Sequence, residues 1–204
     1  MNKMPQTDFK KITQALNYLA NGYKGKRLNK LKAIKLMWLA DRYHLRKYGR
    51  PITWDIYEAM KLGPVGSIAK DVAEQSSFID SNGRKYSSKY LNPIDKNTYE
   101  SKLPTDIKVF SQSDIEALDF ALSNYGDWKK FDLKDLAHLY PEWKKFESSI
   151  ESGARSKVRM DYADFFLDPS EVKDDIFKID HDILTASKDI YSQLKSISDA
   201  RISG

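Results

Sequence analysis

The first clear periodicity along the chain falls at Phe9, Ile12, Leu16 and Leu19, a spacing of three and four that predicts an amphipathic helix ending near Asn21-Gly22. After a basic loop, Tyr23 to Arg27, the same spacing returns at Leu31, Ile34, Met37, Trp38, Leu45 and Tyr48. Asn29 is placed to cap this second helix and Gly49 to close it in the left-handed conformation, with Pro51 blocking continuation. At about 100° per residue, Asp41 falls inside the apolar stripe and His44 at its edge beside Met37. The period then drops to two: Ile52, Trp54 and Ile56 alternate with Thr53, Asp55 and Tyr57, which predicts a strand. Gly63-Pro64 reads as a turn that opens a helix with Val65, Ile68, Ala69, Val72 and Ala73 on its apolar side.

Further along, Asn82-Gly83 between Ile79 and Tyr86 predicts a hairpin turn, and Tyr99, Ser101 and Leu103 another strand. Ser111 with Asp114 three residues on starts a helix striped by Ile115, Leu118, Leu122 and Tyr125 and ended by Gly126. Asp132 is expected to cap the next helix, lined by Leu133, Leu136, Ala137 and Tyr140, and Pro141 to start a short turn carrying Trp143 and Phe146. Ser148 to Ser156 reads as a connector. Asp168-Pro169-Ser170-Glu171 is expected to introduce a long last helix, in which Ile176, Ile183, Ile190 and Ile197 recur every seven residues beside Ile179, Ala186, Tyr191 and Leu194. About 30 residues would span about 45 Å. Such a stripe either packs back on the domain, forms a self-association seam or binds a partner. The predicted fold is mainly α with a small antiparallel β-sheet (α+β): a compact helical core over residues 1–166 and an amphipathic helical extension over 167–204.

Composition narrows the chemistry. The 204 residues contain no Cys, which excludes disulfides and thiolate nucleophiles, and no apolar run approaches the roughly 20 residues of a spanning helix. With charges at Asp8, Lys10 and Lys11 and no apolar leader segment, the expectation is a cytoplasmic protein with no membrane association. The net charge of +5 is unevenly placed: residues 1–50 carry thirteen Lys or Arg against two acids, a balance of +11 that leaves −6 for the remainder. Such a basic third meets nucleic acid, an acidic partner face or the chain's own acidic part. Asp41 and His44, at i and i+3, invite comparison with a metal or acid-base pair, but His138 and His181 are the only other imidazoles and no His-x-x-x-His spacing exists. No Gly-x-Ser-x-Gly elbow, phosphate-binding Gly-rich loop or paired acid motif is present. The residues therefore predict no enzyme, no metal and no cofactor, with Asp41 accepting hydrogen bonds from backbone amides or Arg50 to tie the Gly-Arg-Pro loop to its helix.

The ordered blocks Asp41-Arg42-Tyr43-His44-Leu45, Gly49-Arg50-Pro51-Ile52, Tyr57-Glu58-Ala59 and Gly63-Pro64-Val65 resemble the Panacea domain, also called the SocA-like antitoxin domain. Leu118-Asp119, Tyr125-Gly126, Leu136-Ala137-His138 and Trp143 resemble its second block, and Tyr162 to Phe166 an aromatic segment near its end, so the resemblance covers roughly residues 28 to 166. Ala137 stands where that pattern has Thr. The resemblance implies a bacterial or phage antitoxin of a type II toxin-antitoxin system, which neutralises a co-encoded toxin by direct protein binding. It marks Asp41, His44, Gly49, Arg50, Pro51, Tyr57, Gly63, Pro64, His138 and Trp143 as structural motif residues. Alternatives are a proteolytic adaptor that delivers a toxin to a protease, and a nucleic-acid-binding regulator using the basic N-terminal third. The resemblance shows no added DNA-binding domain ahead of the core, which weakens the expectation of operator binding. Toxin-binding candidates are Arg42 and Arg46 on the basic helix and Ile176, Ile183, Ile190, Tyr191, Leu194 and Ile197 on the last one.

Overall fold

A computed structural model describes residues 8–170 and 177–202, the last five of these as backbone alone. The fold is mainly α with two small antiparallel three-stranded sheets, one more than expected. Helix α1, Phe9–Asn21, is capped by Asp8 and buries Ile12, Leu16 and Leu19. A 3-10 turn at Lys24–Lys26 leads into strand β1, Arg27–Asn29, and then helix α2, Lys30–Tyr48. Asn29 caps α2 by accepting from the Lys32 amide, and Gly49 ends it with φ 73°, as their side-chain chemistry predicts.

Helix α2 is the axis of the molecule. Helices α1, α3 (Ser67–Glu74), α5 (Gln112–Tyr125), α6 (Lys130–His138) and α9 (His181–Ile202) all pack on it, and it is buried on nearly every side. Helix α4 is Ser81–Tyr90, and the short helices α7 and α8 are Pro141–Lys144 and Glu147–Glu151. Strand β1 pairs with β5 (Thr98–Ser101), which also pairs with β4 (Leu91–Pro93). In the second sheet β2, Tyr57–Met60, lies between β3, Gly63–Gly66, and β6, Lys157–Arg159, with Ala59 opposite both Pro64 and Val158.

Several local expectations are corrected. Ile52 to Ile56 is not a strand; Trp54 adopts φ 52° and the ladder starts only at Tyr57. Gly63-Pro64 is strand rather than turn: Lys61-Leu62 makes the two-residue hairpin loop, and Gly63 at φ 91° re-enters the ladder opposite Met60. Helix α3 accordingly begins at Ser67, beyond Pro64. Asn82-Gly83 lies inside α4, because Asp80 captures the Gly83 amide as an N-cap and starts a helix there. Asp132 sits in the first turn of α6 rather than at its cap, which is Lys129, and the connector after Ser148 is partly α8.

The last helix also starts later than predicted. Phe177 turns into the core against Tyr140 and Phe120, and Asp180 accepts from the amides of Asp182 and Ile183, so α9 opens at His181 and runs 22 residues. Glu171 and Ile176 lie outside the described residues. Helix α9 turns Leu184, Ser187 and Tyr191 toward the core, with Tyr191 on Phe166 and Tyr162. Where it crosses the end of α2 there is no room for a side chain: a Cβ on Gly49 would lie 2.7 Å from the Cβ of Ile190 and from the Ser187 carbonyl oxygen.

Gly49→Ala therefore combines a left-handed backbone penalty with a steric overlap and is expected to cost at least about 2 kcal/mol in urea melts. Gly25→Ala, also at positive φ but with nothing within 4 Å of its Cβ, serves as the control and should lose only the backbone part, about 1 kcal/mol.

Candidate functional site

The motif residues converge on a polar frame around α2. Asp41 is fully buried and accepts four hydrogen bonds: from the amides of Ile52 at 2.7 Å and Thr53 at 3.1 Å, the Thr53 hydroxyl at 2.6 Å and the Tyr57 hydroxyl at 2.9 Å. Burial pushes this carboxyl upward, and the four donors oppose that shift. The segment after Pro51 is thus wound around a carboxylate instead of extended as a strand. Arg50 is not a partner of Asp41. Its guanidinium lies 3.0 Å from Asp114 and donates to the Ser111 hydroxyl.

A second buried carboxylate, Asp55, accepts from the amides of Ile56, Ile68 and Ala69, closing the N-terminus of α3. Burial raises its carboxyl to about 7 against those three donors. A Cβ at Gly66 would fall on this carboxylate, which explains a glycine at that cap. Read as the polar face of a strand, Asp55 gave no sign of this role in the sequence.

His44 does not meet Asp41. Its Nδ1 lies 2.6 Å from the Arg50 carbonyl, so Nδ1 carries the proton and donates, leaving Nε2 to accept from the Ser113 hydroxyl at 3.0 Å. Burial holds the imidazole down at about 4; the hydrogen bond to the Arg50 carbonyl opposes this, as does the Asp114 carboxylate, while the charges of Arg50 and Lys11 act with burial. Asp114 is the capping-box acid of α5 and also pairs with Lys11 at 2.7 Å, so one carboxylate joins α1, α5 and the Arg50 loop.

Arg42 and Arg46, expected to face a partner, are instead buried. Arg42 pairs with buried Glu142 at 3.0 Å, donates to the Leu167 carbonyl and stacks over Tyr140. Arg46 donates to the Phe166 carbonyl at 2.7 Å and to Asp168 at 2.6 Å. No signal in the sequence links Arg42 to Glu142, 100 positions away. Lys35, likewise buried, donates to the Pro64 carbonyl at 2.6 Å, and burial lowers its ammonium to about 7. Gly63 faces this ammonium, 3.0 Å from a hypothetical Cβ. His138 stacks on Trp143 with ring centroids 3.6 Å apart, and the Trp143 indole donates to the Met60 carbonyl, pinning α7 to β2.

The exposed candidates are on α9. Ile183, Ile190 and Ile197 are 44%, 45% and 51% exposed, Leu194 is half-buried and Tyr191 is buried. Among the described residues no group of three or more His, Asp or Glu could hold a metal ion, and no helix is long and apolar enough to cross a membrane. What the polar frame does chemically is position backbone: its acids and bases are directed at amides, carbonyls and one another. A profile described as antitoxin SocA-like, Panacea domain, matches residues 34–144, more than half of the chain, which takes in the frame from α2 to Trp143 but not the aromatic segment at Tyr162–Phe166. No curated protein and no solved structure matches.

Asp41→Ala leaves four buried donors without an acceptor and is expected to cost about 3–5 kcal/mol in denaturant melts. His44 makes one contribution to the pH dependence of stability. Its folded value of about 4 lies below the ordinary 6.5, so the unfolded chain takes up a proton that the folded one refuses. Its contribution is complete above pH 6.5 and is lost as pH falls toward 4, at about 1 kcal/mol per pH unit. His138, also lowered to about 4, acts with the same sign, whereas Asp55, raised to about 7, acts with the opposite sign, its contribution being lost as pH rises toward 7. In urea melts at pH 7, 6 and 5, His44→Gln should therefore lose less stability toward acid than the wild-type chain does.

Proposed function

Because the chain belongs to the SocA-like antitoxin family that carries the Panacea domain, we propose that it is the antitoxin of a type II pair, acting in the cytoplasm and neutralising a toxin encoded beside it by forming a stable protein complex. The observation that carries this reading is the family match over residues 34–144, the stretch whose polar groups hold the scaffold together. An antitoxin-like, regulatory role follows from that membership, and direct binding is the mode that the surface favours.

Two features support a protein partner over nucleic acid. Six cations of the basic N-terminal third are paired with acids further along the chain: Lys11 and Arg50 with Asp114, Arg27 with Glu100, Arg42 with Glu142, Arg46 with Asp168 and Lys47 with Glu116. Much of the charge asymmetry is therefore neutralised inside the fold, which leaves less to attract phosphates. The second feature is the outer edge of α9, where Ile183, Ile190 and Ile197 stand seven residues apart and about half exposed while Ser187 and Tyr191 hold the helix to the core. We assign toxin contact to this edge, with Leu194 beside it.

Co-expression with the product of the neighbouring reading frame provides the test. That product should be toxic alone, harmless with this chain present, and should copurify with it. A harmless neighbour, or one that stays lethal with no complex formed, overturns the reading. Ile183→Asp combined with Ile197→Asp should weaken the complex at least tenfold, the loss expected for about 1.5 kcal/mol or more of apolar contact, without lowering the melting temperature.

A further inference from the structure

At the other end of α2, away from α9, the surface opens into a groove of about 620 Å³. Its walls are the first two turns of α2, the β2-β3 hairpin, the start of α6, α3 and the turn between β4 and β5. The floor is apolar, made by Leu31, Ile34, Met60, Leu62, Val65 and Phe131. Two of these side chains are largely open to solvent, Leu62 at 44% and Phe131 at 55%. The rim is basic: Lys30, Lys61, Lys70, Lys96 and Lys130 surround the floor, against a single carboxylate, Glu74. Among the described residues only Lys70 of these five is ion-paired, and its partner is Glu74 itself; Lys30 donates to the Asp95 carbonyl and lies within the field of the Asp95 carboxylate, which leaves the ammonium groups of Lys61, Lys96 and Lys130 around the groove without an ion pair.

We infer that this groove receives an amphipathic, acidic segment of the protein partner, laying an apolar face on Leu62 and Phe131 and carboxylates against the lysine rim. The inference rests on the antitoxin reading for the identity of the partner. Complementary charge supplies the choice of occupant: three cations without an ion pair, Lys61, Lys96 and Lys130, around an apolar floor favour a ligand that brings both apolar surface and negative charge, and they disfavour a basic one. Nucleic acid would satisfy the lysines but not the floor, which is aliphatic apart from Phe131 and offers no series of rings for bases to stack on. A helix or strand with apolar residues on one side and Asp or Glu flanking them satisfies both. Rim lysines of this kind act chiefly on the rate of encounter, and the apolar floor on the lifetime of the complex.

The groove and the α9 edge contact opposite ends of α2, so they can be altered separately. The complex of the full chain with the neighbouring gene product is the probe, measured by surface plasmon resonance at low and at moderate salt. Lys61→Glu with Lys130→Glu should slow association roughly tenfold at low salt and flatten its salt dependence. Lys61→Arg with Lys130→Arg should leave association unchanged, and Leu62→Asp should speed dissociation by about tenfold. Unchanged thermal melting in each variant shows that the fold is retained. If the wild-type complex forms and the groove variants bind as tightly and as fast as wild type, the groove inference is overturned while the antitoxin reading stands. If the wild-type chain forms no complex, the antitoxin reading fails and the groove inference falls with it.

Discussion

A carboxylate buried among four donors sets the geometry on which this fold depends. Asp41 fixes the path of the chain from Ile52 to Tyr57, and that path decides where β2 begins and how the second sheet meets α2. The same helix carries Lys35, Arg42, His44 and Arg46, each buried: Lys35 is fastened to β3, His44 to the Arg50 loop, and Arg42 and Arg46 together to the segment Phe166 to Asp168. A helix surrounded by five other helices would ordinarily be apolar all round. Here buried charges do the locating: an apolar contact tolerates sliding, whereas a guanidinium seated on one carbonyl does not. Such groups add little net stability compared with apolar replacements, and their contribution here is to the uniqueness of the arrangement.

Much of the architecture could be read from short-range chemistry. Asn29, Gly49, Ser111 and Asp114 stood where a helix needs them, and α1, α2 and α5 followed. The failures share a cause, which is that a carboxylate outside the pattern being read captured the backbone amides. The alternation from Ile52 to Ile56 suggested a strand until Asp41, eleven positions earlier, claimed the Ile52 amide. Asn82-Gly83 suggested a hairpin, but Asp80 had already begun a helix. At the candidate site the motif residues were legible and their partners were not. Arg42 and Arg46 carry charges that belong on a surface by composition alone, and only the fold brings Glu142 and Asp168 to them.

The uneven charge along the sequence takes a different meaning once the chain is folded. Acids near the middle and end of the chain neutralise cations near its start, and of those left over Lys30 joins Lys61, Lys96 and Lys130, from later in the chain, at the rim of one groove. The linear charge asymmetry is thus partly removed by pairing across the fold, and the basic rim draws on both halves of the chain. The half-exposed isoleucines of α9 share a heptad register, but Ser187 and Tyr191, outside it, are the buried residues that hold the helix down, and Ile190 of the register also meets α2 at Gly49.

The contact from Arg42 to the Leu167 carbonyl closes a loop of 125 residues, and this has a consequence for the order of events during synthesis. At roughly 5–20 residues per second, on the order of ten seconds separate the emergence of Arg42 from that of its acceptor. Glu142 emerges earlier and neutralises the Arg42 charge, but until the segment Phe166 to Asp168 follows, donors of both Arg42 and Arg46 lack their acceptors, and enclosing α2 would bury them unpaired. The helix that organises the finished molecule is therefore among the last to be sealed, and a nascent chain halted before Leu167 keeps its axis open to solvent and to chaperones.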